Sequence, residues 1–309
     1  MNILFYCTFS NKNKWLTVIK RKFKGNKIFT VNDNINYSKI DIAIVWNVPN
    51  EILSKLINVK LIFSLGAGVD HILKLESYNK TPIIRIKDPN MQIRMFNHVL
   101  SQILNYQLKL HTYQKAQQKR LWIDEIETLL NNEIKVGVLG LGYIGNFVAL
   151  NLQKLNYQVA GYKKTLPISK KTYQVMSGKH IDKFIGESDI IVSILPSTIE
   201  TNNFINKNFL KKMKKNSLLI NIGRGNSLNE QDLEKQLLLN KNFYASLDVF
   251  KKEPLYKNNK LWKYPNLNIT PHIAAITDIE SGIEYMHQRF LKYKKWGKIK
   301  SDVNIKNGY

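Results

Sequence analysis

Apolar residues alternate along the chain between two patterns. Short apolar runs read as buried strands, and the stretches between them repeat apolar side chains every third or fourth residue, as amphipathic helices do. In the first 90 or so residues the strand-like runs are Asn2–Cys7, Lys27–Val31, Asp41–Trp46, Lys60–Ser64 and Pro82–Ile86. Trp15, Val18, Ile19 and Phe23 give Lys14–Phe23 a helical face, and Pro49 opens a short helix over Glu51–Ile57. From Ile93 to about Leu121 the pattern predicts one long helix, through Phe96, Val99, Leu100, Ile103, Leu104 and Leu108. Six more strands follow, Ile134–Leu139, Tyr157–Tyr162, Asp189–Leu195, Ser217–Ile222, Phe243–Phe250 and Leu267–Thr270, with helices between most of them. Thr277-Asp-Ile-Glu280 has the spacing of a capping box and starts a last helix that runs to about Trp296. The tail from Lys298 is polar and reads as irregular. Such alternation argues α/β, a parallel sheet covered by helices on both faces, and six strands with crossovers is the count of a full dinucleotide-binding sheet.

Length and composition narrow the class. A chain of 309 residues has room for two ordinary cores, and 44% hydrophobic content is that of a globular protein. No apolar run approaches the ~20 residues of a membrane span, which argues against a membrane role. The N-terminus lacks a basic leader and reads as a first strand. The single cysteine, Cys7, allows no intrachain disulfide and fits a cytoplasmic address. The formal net charge of +24 could serve nucleic acid or an anionic ligand. Its lysines are spread along the whole chain among abundant Asn and Ile, which favours compositional drift. Nucleic-acid binding would need them gathered on one face.

Candidate chemistry begins at Lys135-Val-Gly-Val-Leu-Gly-Leu-Gly-Tyr-Ile-Gly145. An apolar strand runs into G-x-G-x-x-G and a helix follows, the context in which this motif binds a dinucleotide. Gly140 permits the tight turn, Gly142 lets a pyrophosphate approach the backbone, and Gly145 lets helix and strand pack closely. The helix N-terminus offers free N–H groups to the phosphates. The second strand ends in Lys163-Lys164-Thr165, where NAD-using folds carry an acid for the ribose hydroxyls. Two lysines in place of that carboxylate favour NADPH, with NADH possible.

Four further stretches carry candidate groups. Ser64-Leu-Gly-Ala-Gly-Val-Asp70 is a strand and a glycine-flanked turn; it is either a simple turn or a backbone nest for a carboxylate. Leu218-Leu-Ile-Asn-Ile-Gly-Arg-Gly225 sets Arg224 between two glycines at a strand's C-terminal end, where open α/β sheets bind ligands. Leu247-Asp-Val-Phe-Lys-Lys-Glu-Pro-Leu255 ends a strand at Asp248 and supplies Glu253, and Thr270-Pro-His-Ile-Ala-Ala275 places His272 just past the final strand. Together Arg224, Glu253 and His272 suit carbonyl reduction. Histidine exchanges a proton near neutral pH, a carboxylate beside it fixes the tautomer, and arginine stays charged to hold a carboxylate and polarise a carbonyl.

In the order and spacing of these motifs, with Leu195-Pro-Ser-Thr198 between them, the chain resembles the D-isomer-specific 2-hydroxyacid dehydrogenases over nearly its whole length. Trp46, the Leu121-Trp122 pair and the closing Asn307-Gly-Tyr309 resemble the branch that reduces glyoxylate to glycolate and hydroxypyruvate to D-glycerate. The resemblance implies a Rossmann-type sheet, residues 96–279, inserted into a flavodoxin-like substrate domain made of residues 1–95 and 280–309, with substrate in the cleft between them. It implies catalytic roles for Arg224 and His272, with Glu253 orienting His272. Substrate contacts would be Trp46, Gly66, Ala67, Gly68 and Arg224. Cofactor contacts would be Gly140, Gly142, Tyr143, Ile144, Gly145, Lys163, Lys164, Leu195, Pro196, Ile222, Asp248 and Ala274, with no metal. It also implies a homodimer to which the helix after Ile93 contributes. The chain departs from the family at Met95-Phe-Asn-His-Val99, where an acidic residue and a tyrosine are frequent, and His71 sits at a variable position. The alternatives are another 2-hydroxyacid substrate, of the D-lactate or phosphoglycerate type, or a dinucleotide-sensing interaction protein.

Overall fold

The computed structural model describes residues 1–124, 126–166 and 170–304; Asn307-Gly-Tyr309 lies outside them. In chain order the first elements are β1 (Asn2–Tyr6), α1 (Lys12–Lys22), β2 (Lys27–Phe29), β3 (Ile42–Val45), α2 (Asn50–Lys55), β4 (Leu61–Ser64), α3 (Asp70–Leu73) and β5 (Ile83–Arg85). Next come α4 (Pro89–Gln107), α5 (Leu110–Gln118), β6 (Lys135–Leu139), α6 (Tyr143–Lys154), β7 (Gln158–Tyr162), β8 (Gln174–Met176), α7 (Ile181–Glu187) and β9 (Ile190–Ser193). The last are α8 (Lys207–Lys212), β10 (Ser217–Asn221), α9 (Glu230–Leu239), β11 (Phe243–Leu247), β12 (Leu267–Ile269) and α10 (Ile279–Trp296). The chain divides into two compact units, one of residues 1–91 with 277–309 and one of residues 92–276.

In the first unit the strand order is β2-β1-β3-β4-β5, all parallel, the flavodoxin-like arrangement. Both faces of β3 and β4 are buried, as the unbroken apolar runs require. Val45, Leu53, Val69, Ile72 and Ile83 pack one side of this core. Phe23 from the end of α1, Phe63 of β4 and Phe290 of α10 meet on the other, with ring centroids 6.5 and 5.0 Å from Phe23. The irregular tail is tied down, since Asp302 N–H donates to Ile83 O at 2.9 Å and Val303 is buried. α10 starts one residue later than the capping-box spacing suggests. Asp278, rather than Thr277, is its N-cap and accepts from Ser281 N–H, while Glu280 pairs with Arg21 of α1.

The second unit holds a parallel sheet in the order β12-β11-β10-β9-β6-β7-β8. Numbered within the unit, β6 to β11 give the Rossmann order of two mirrored halves, reversing between β6 and β9. The sheet has seven strands where six were legible. β8 is a three-residue edge strand, Gln-Val-Met, too short to show a period. The long helix predicted from Ile93 is also broken. Lys109 adopts a left-handed φ of 55° and ends α4, and α5 restarts at Leu110. The chain bends there around Tyr244, which receives the Tyr106 ring at 5.5 Å and a hydrogen bond with His111 at 2.7 Å. Apolar spacing continues across that bend, so periodicity alone cannot show it.

Candidate active site

Because every strand of the second unit runs the same way, their carboxyl ends share one edge of the sheet. β6 leads there into the glycine loop, β7 into Lys163, β9 into Ile194 and Leu195, β10 ends at Asn221, β11 leads into Asp248, and β12 ends three residues before His272. The glycine loop lies at the switch point between β6 and β9, the position at which doubly wound sheets bind nucleotides. Gly140 has φ +100°, and α6 begins at Tyr143 with Gly142 as its N-cap. α6 turns Gly145, Val148, Ala149 and Leu152 into the core, the Val148 and Leu152 side chains contributing roughly 1.5–3 kcal/mol each.

A cavity of about 420 Å³ opens on this loop, lined by Leu141, Gly142, Tyr143, Asn146, Lys163 and Lys171 among others. The two lysines thus reach the same hollow as the helix N-terminus. Lys171, eight positions after Lys163 and three before β8, lines this hollow as well. Lys164 points elsewhere, with Nζ 2.8 Å from Glu200 Oε1. Leu195, Pro196 and Ile222 lie on the neighbouring strand ends, half-buried or buried. A second cavity of about 480 Å³ lies among Leu130, Asn131, Asn132, Leu155 and Asn156, with no ionisable side chain on its lining.

The proposed proton chemistry is built around Asp248. This carboxylate is 1% exposed. Its Oδ1 accepts from Thr270 Oγ1 at 2.6 Å and from Ile273 N–H at 2.9 Å, and its Oδ2 accepts from Ala274 N–H at 2.9 Å. His272 N–H donates to the Asp248 carbonyl at 2.8 Å. These bonds over-determine the loop and hold His272 at φ +55°, a left-handed conformation that a residue with a Cβ seldom adopts. Asp248 reads in the sequence as a strand end; its hold on the histidine loop arises from the fold of Thr270–Ala274 around it.

His272 Nδ1 lies 2.7 Å from Glu253 Oε2, and Phe250 N–H donates to Glu253 Oε1 at 2.9 Å. One carboxylate oxygen is therefore fixed by backbone while the other takes the imidazole. That arrangement puts a proton on Nδ1 and leaves Nε2 as the exchanging atom. Burial raises the Glu253 pKa, but hydrogen bonds from His272 and Phe250, with the charges of His272 and Arg224, outweigh it and leave the carboxyl below its usual range. Arg224 therefore lies near enough for its charge to favour the Glu253 carboxylate. Arg224 sits in a turn pinned at its carbonyl by Ser227 Oγ at 2.7 Å and Asn221 Nδ2 at 3.3 Å. The structure therefore brings Arg224, Glu253 and His272 to one end of one sheet.

Trp46, Gly66, Ala67 and Gly68 lie in the first unit, at the carboxyl ends of β3 and β4. Trp46 stacks on Phe9 with centroids 5.2 Å apart and covers the Gly66 backbone.

A parallel Rossmann sheet with a histidine–carboxylate pair and an arginine on its carboxyl edge defines a nucleotide-dependent dehydrogenase by arrangement. Residues 100–274 match the NAD binding domain of the D-isomer specific 2-hydroxyacid dehydrogenases, and the chain belongs to that family. Within it, the chain is 31% identical over 283 residues to the glyoxylate/hydroxypyruvate reductase A of Yersinia enterocolitica, covering 90% of each chain. It is also similar in structure to the NADPH-dependent glyoxylate/hydroxypyruvate reductase of Sinorhizobium meliloti, solved with NADP and sulfate. That match has a TM-score of 0.92 and 27% identity, over 100% of this chain and 99% of the other. A D-isomer specific 2-hydroxyacid dehydrogenase of Xanthobacter autotrophicus, solved with NADPH and MES, matches with a TM-score of 0.92 at 28% identity, over 100% and 99%.

Proposed function

We propose that the protein reduces small 2-oxo acids with NADPH, taking glyoxylate to glycolate and hydroxypyruvate to D-glycerate. The observation that carries this reading is the His272–Glu253 pair beside Arg224, on the sheet edge that also bears the glycine loop. The cofactor fits the residues present. A Cβ on Gly142 would meet no protein atom within 4 Å, so room is kept beside the helix N-terminus for a phosphate. Lys163 faces that hollow, and no acidic residue ends β7. Gly140, Gly142, Tyr143, Ile144 and Gly145 would hold the pyrophosphate, Lys163 the 2′-phosphate, and Leu195, Pro196, Ile222, Asp248 and Ala274 the remainder. When bound, the reduced nicotinamide supplies the hydride.

The chain's own residues do the rest. Arg224 grips the substrate carboxylate and draws electron density toward the carbonyl oxygen; in the first unit, Trp46 and the N–H groups around Ala67 and Gly68 would receive an anion. Glu253 keeps the proton on His272 Nδ1, so that Nε2 delivers its own to the carbonyl oxygen. We place this activity in the cytoplasm and assign a homodimer; among the described residues no helix is long and apolar enough to cross a membrane.

The test follows loss of NADPH or NADH absorbance against a panel of 2-oxo acids. Turnover should be fastest with glyoxylate or hydroxypyruvate and NADPH, and no oxidation with any acid would sink the reading. His272→Ala should lower kcat by about 10²–10⁴-fold while leaving NADPH affinity, measured by fluorescence, unchanged. Wild-type turnover in that variant would remove the proton-donor role.

A further inference from the structure

The glycine turn after β4 is held by a chain of hydrogen bonds that runs in one direction. Asn47 N–H donates to His71 Nδ1 at 3.1 Å. A backbone N–H can only donate, so Nδ1 must carry a lone pair, and a neutral ring then bears its proton on Nε2. Nε2 lies 3.2 Å from Ser64 Oγ and donates to it. The Ser64 hydroxyl, fully buried, passes its own proton to the carbonyls of Gly66 and Gly68, at 3.2 and 3.1 Å.

Planar trans peptides convert this chain into an orientation. In each peptide unit the C=O and the following N–H point opposite ways. The carbonyl of Gly66 turned in toward Ser64 therefore turns the N–H of Ala67, a half-buried residue, the opposite way, on the face where an anion would be received. The same histidine sits 4.4 Å from the Trp46 ring, centroid to centroid, and holds the residue after Trp46 at a left-handed φ of 49°. Trp46 in turn occupies the space that any Cβ at Gly66 would need, its Cζ3 lying 2.1 Å from that point. One imidazole thus ties the end of β3, the end of β4 and the turn between β4 and α3.

We infer that His71 is a positioning residue for the substrate carboxylate. In its neutral, Nε2-protonated form it aims the Ala67 N–H and seats Trp46 against the turn. The assignment rests on the proposed reduction of 2-oxo acids, but the anion-binding turn can be tested apart from turnover.

His71→Phe keeps a ring against Trp46 and removes both hydrogen bonds. His71→Gln restores them, because the O–C–N edge of an amide copies the spacing of the two ring nitrogens. For glyoxylate, His71→Phe should raise KM about tenfold or more, with kcat within about threefold and NADPH affinity unchanged. His71→Gln should recover most of the KM, a rescue that mere loss of packing would not show. Oxalate, a carboxylate that cannot be reduced, gives the same comparison through indole fluorescence. Its affinity should fall about tenfold in His71→Phe and return in His71→Gln. Unchanged oxalate affinity in His71→Phe, no rescue by His71→Gln, or no oxalate binding by the wild type would each overturn the inference. Oxalate binding with this pattern, in a protein that reduces no 2-oxo acid, would leave the positioning role standing and remove the reductase reading alone.

Discussion

A methyl group at Gly142 would meet no protein atom within 4 Å, whereas one at Gly145 would lie 1.9 Å from the Gly140 carbonyl oxygen. Gly142 also has φ −82°, which alanine adopts without strain. The fold itself therefore requires glycine at 145 and tolerates alanine at 142. If the loop receives a pyrophosphate, the ligand is what requires Gly142. Gly142→Ala should keep its thermal midpoint, with unfolding free energy within about 0.5 kcal/mol of wild type, yet bind NADPH at least about tenfold more weakly. Gly145→Ala should lose on the order of 3 kcal/mol, or fail to fold, because the backbone of β6 must move to admit the methyl. Calorimetry and a cofactor fluorescence titration on both variants separate these effects. A Gly142→Ala protein with full NADPH affinity would take the pyrophosphate away from this loop.

At the level of elements, much of the site was readable because its chemistry sits at strand ends. Gly140, Arg224 and His272 each closely follow a strand, and in a parallel sheet such positions share one edge. What could not be read were features that depend on tertiary context: the break of the helix at Lys109, the three-residue strand β8, and the meeting of Lys163 and Lys171 at one hollow. The N-cap of α10 shows the same limit, since Thr277 and Asp278 both suit the role and only the backbone chooses. α4 carries a further consequence. His98 on this helix has a buried Nε2 with no hydrogen-bond partner among the described residues. Burial holds its pKa below the ordinary histidine value, against a weaker opposite pull from Asp248. Between the lowered folded value and about 6.5 the unfolded chain binds more protons at this site, so stability falls as pH drops through that window. His111 is shifted the same way, whereas the depressed Glu253 loses its contribution only below about 4.3, where the unfolded carboxyl titrates. A comparison at a single site isolates the histidine. His98→Phe should gain in melting temperature over wild type, and the gain should widen from pH 8 to pH 5. A gap that stays constant with pH would mean that His98 does not titrate with folding.

For the molecule as a whole, the proposed homodimer has a specific face to use. Residues 119–124 and 126–130 carry no helix or strand, yet they expose Trp122 at 92%, Leu130 at 68%, and Leu121, Ile123 and Leu129 beside them. Ile57, exposed at 67%, stands singly and needs no partner. In a two-fold pair each residue of the shared patch is buried twice, so the gain from one large side chain, roughly 1.5–3 kcal/mol, counts double. Trp122→Glu with Leu130→Glu should therefore convert a dimer to monomer in sedimentation, while Ile57→Glu leaves the mass unchanged. The charge of the chain gives this test a second arm. Two copies at +24 repel at long range, and salt screens that repulsion while leaving apolar burial in place. Association should tighten as ionic strength rises from about 0.05 to 0.3 M, where the Debye length shortens below about 10 Å. A contact made of ion pairs would weaken over the same range. A dimer that loosens with salt, or that survives both glutamates, would place the interface on another surface.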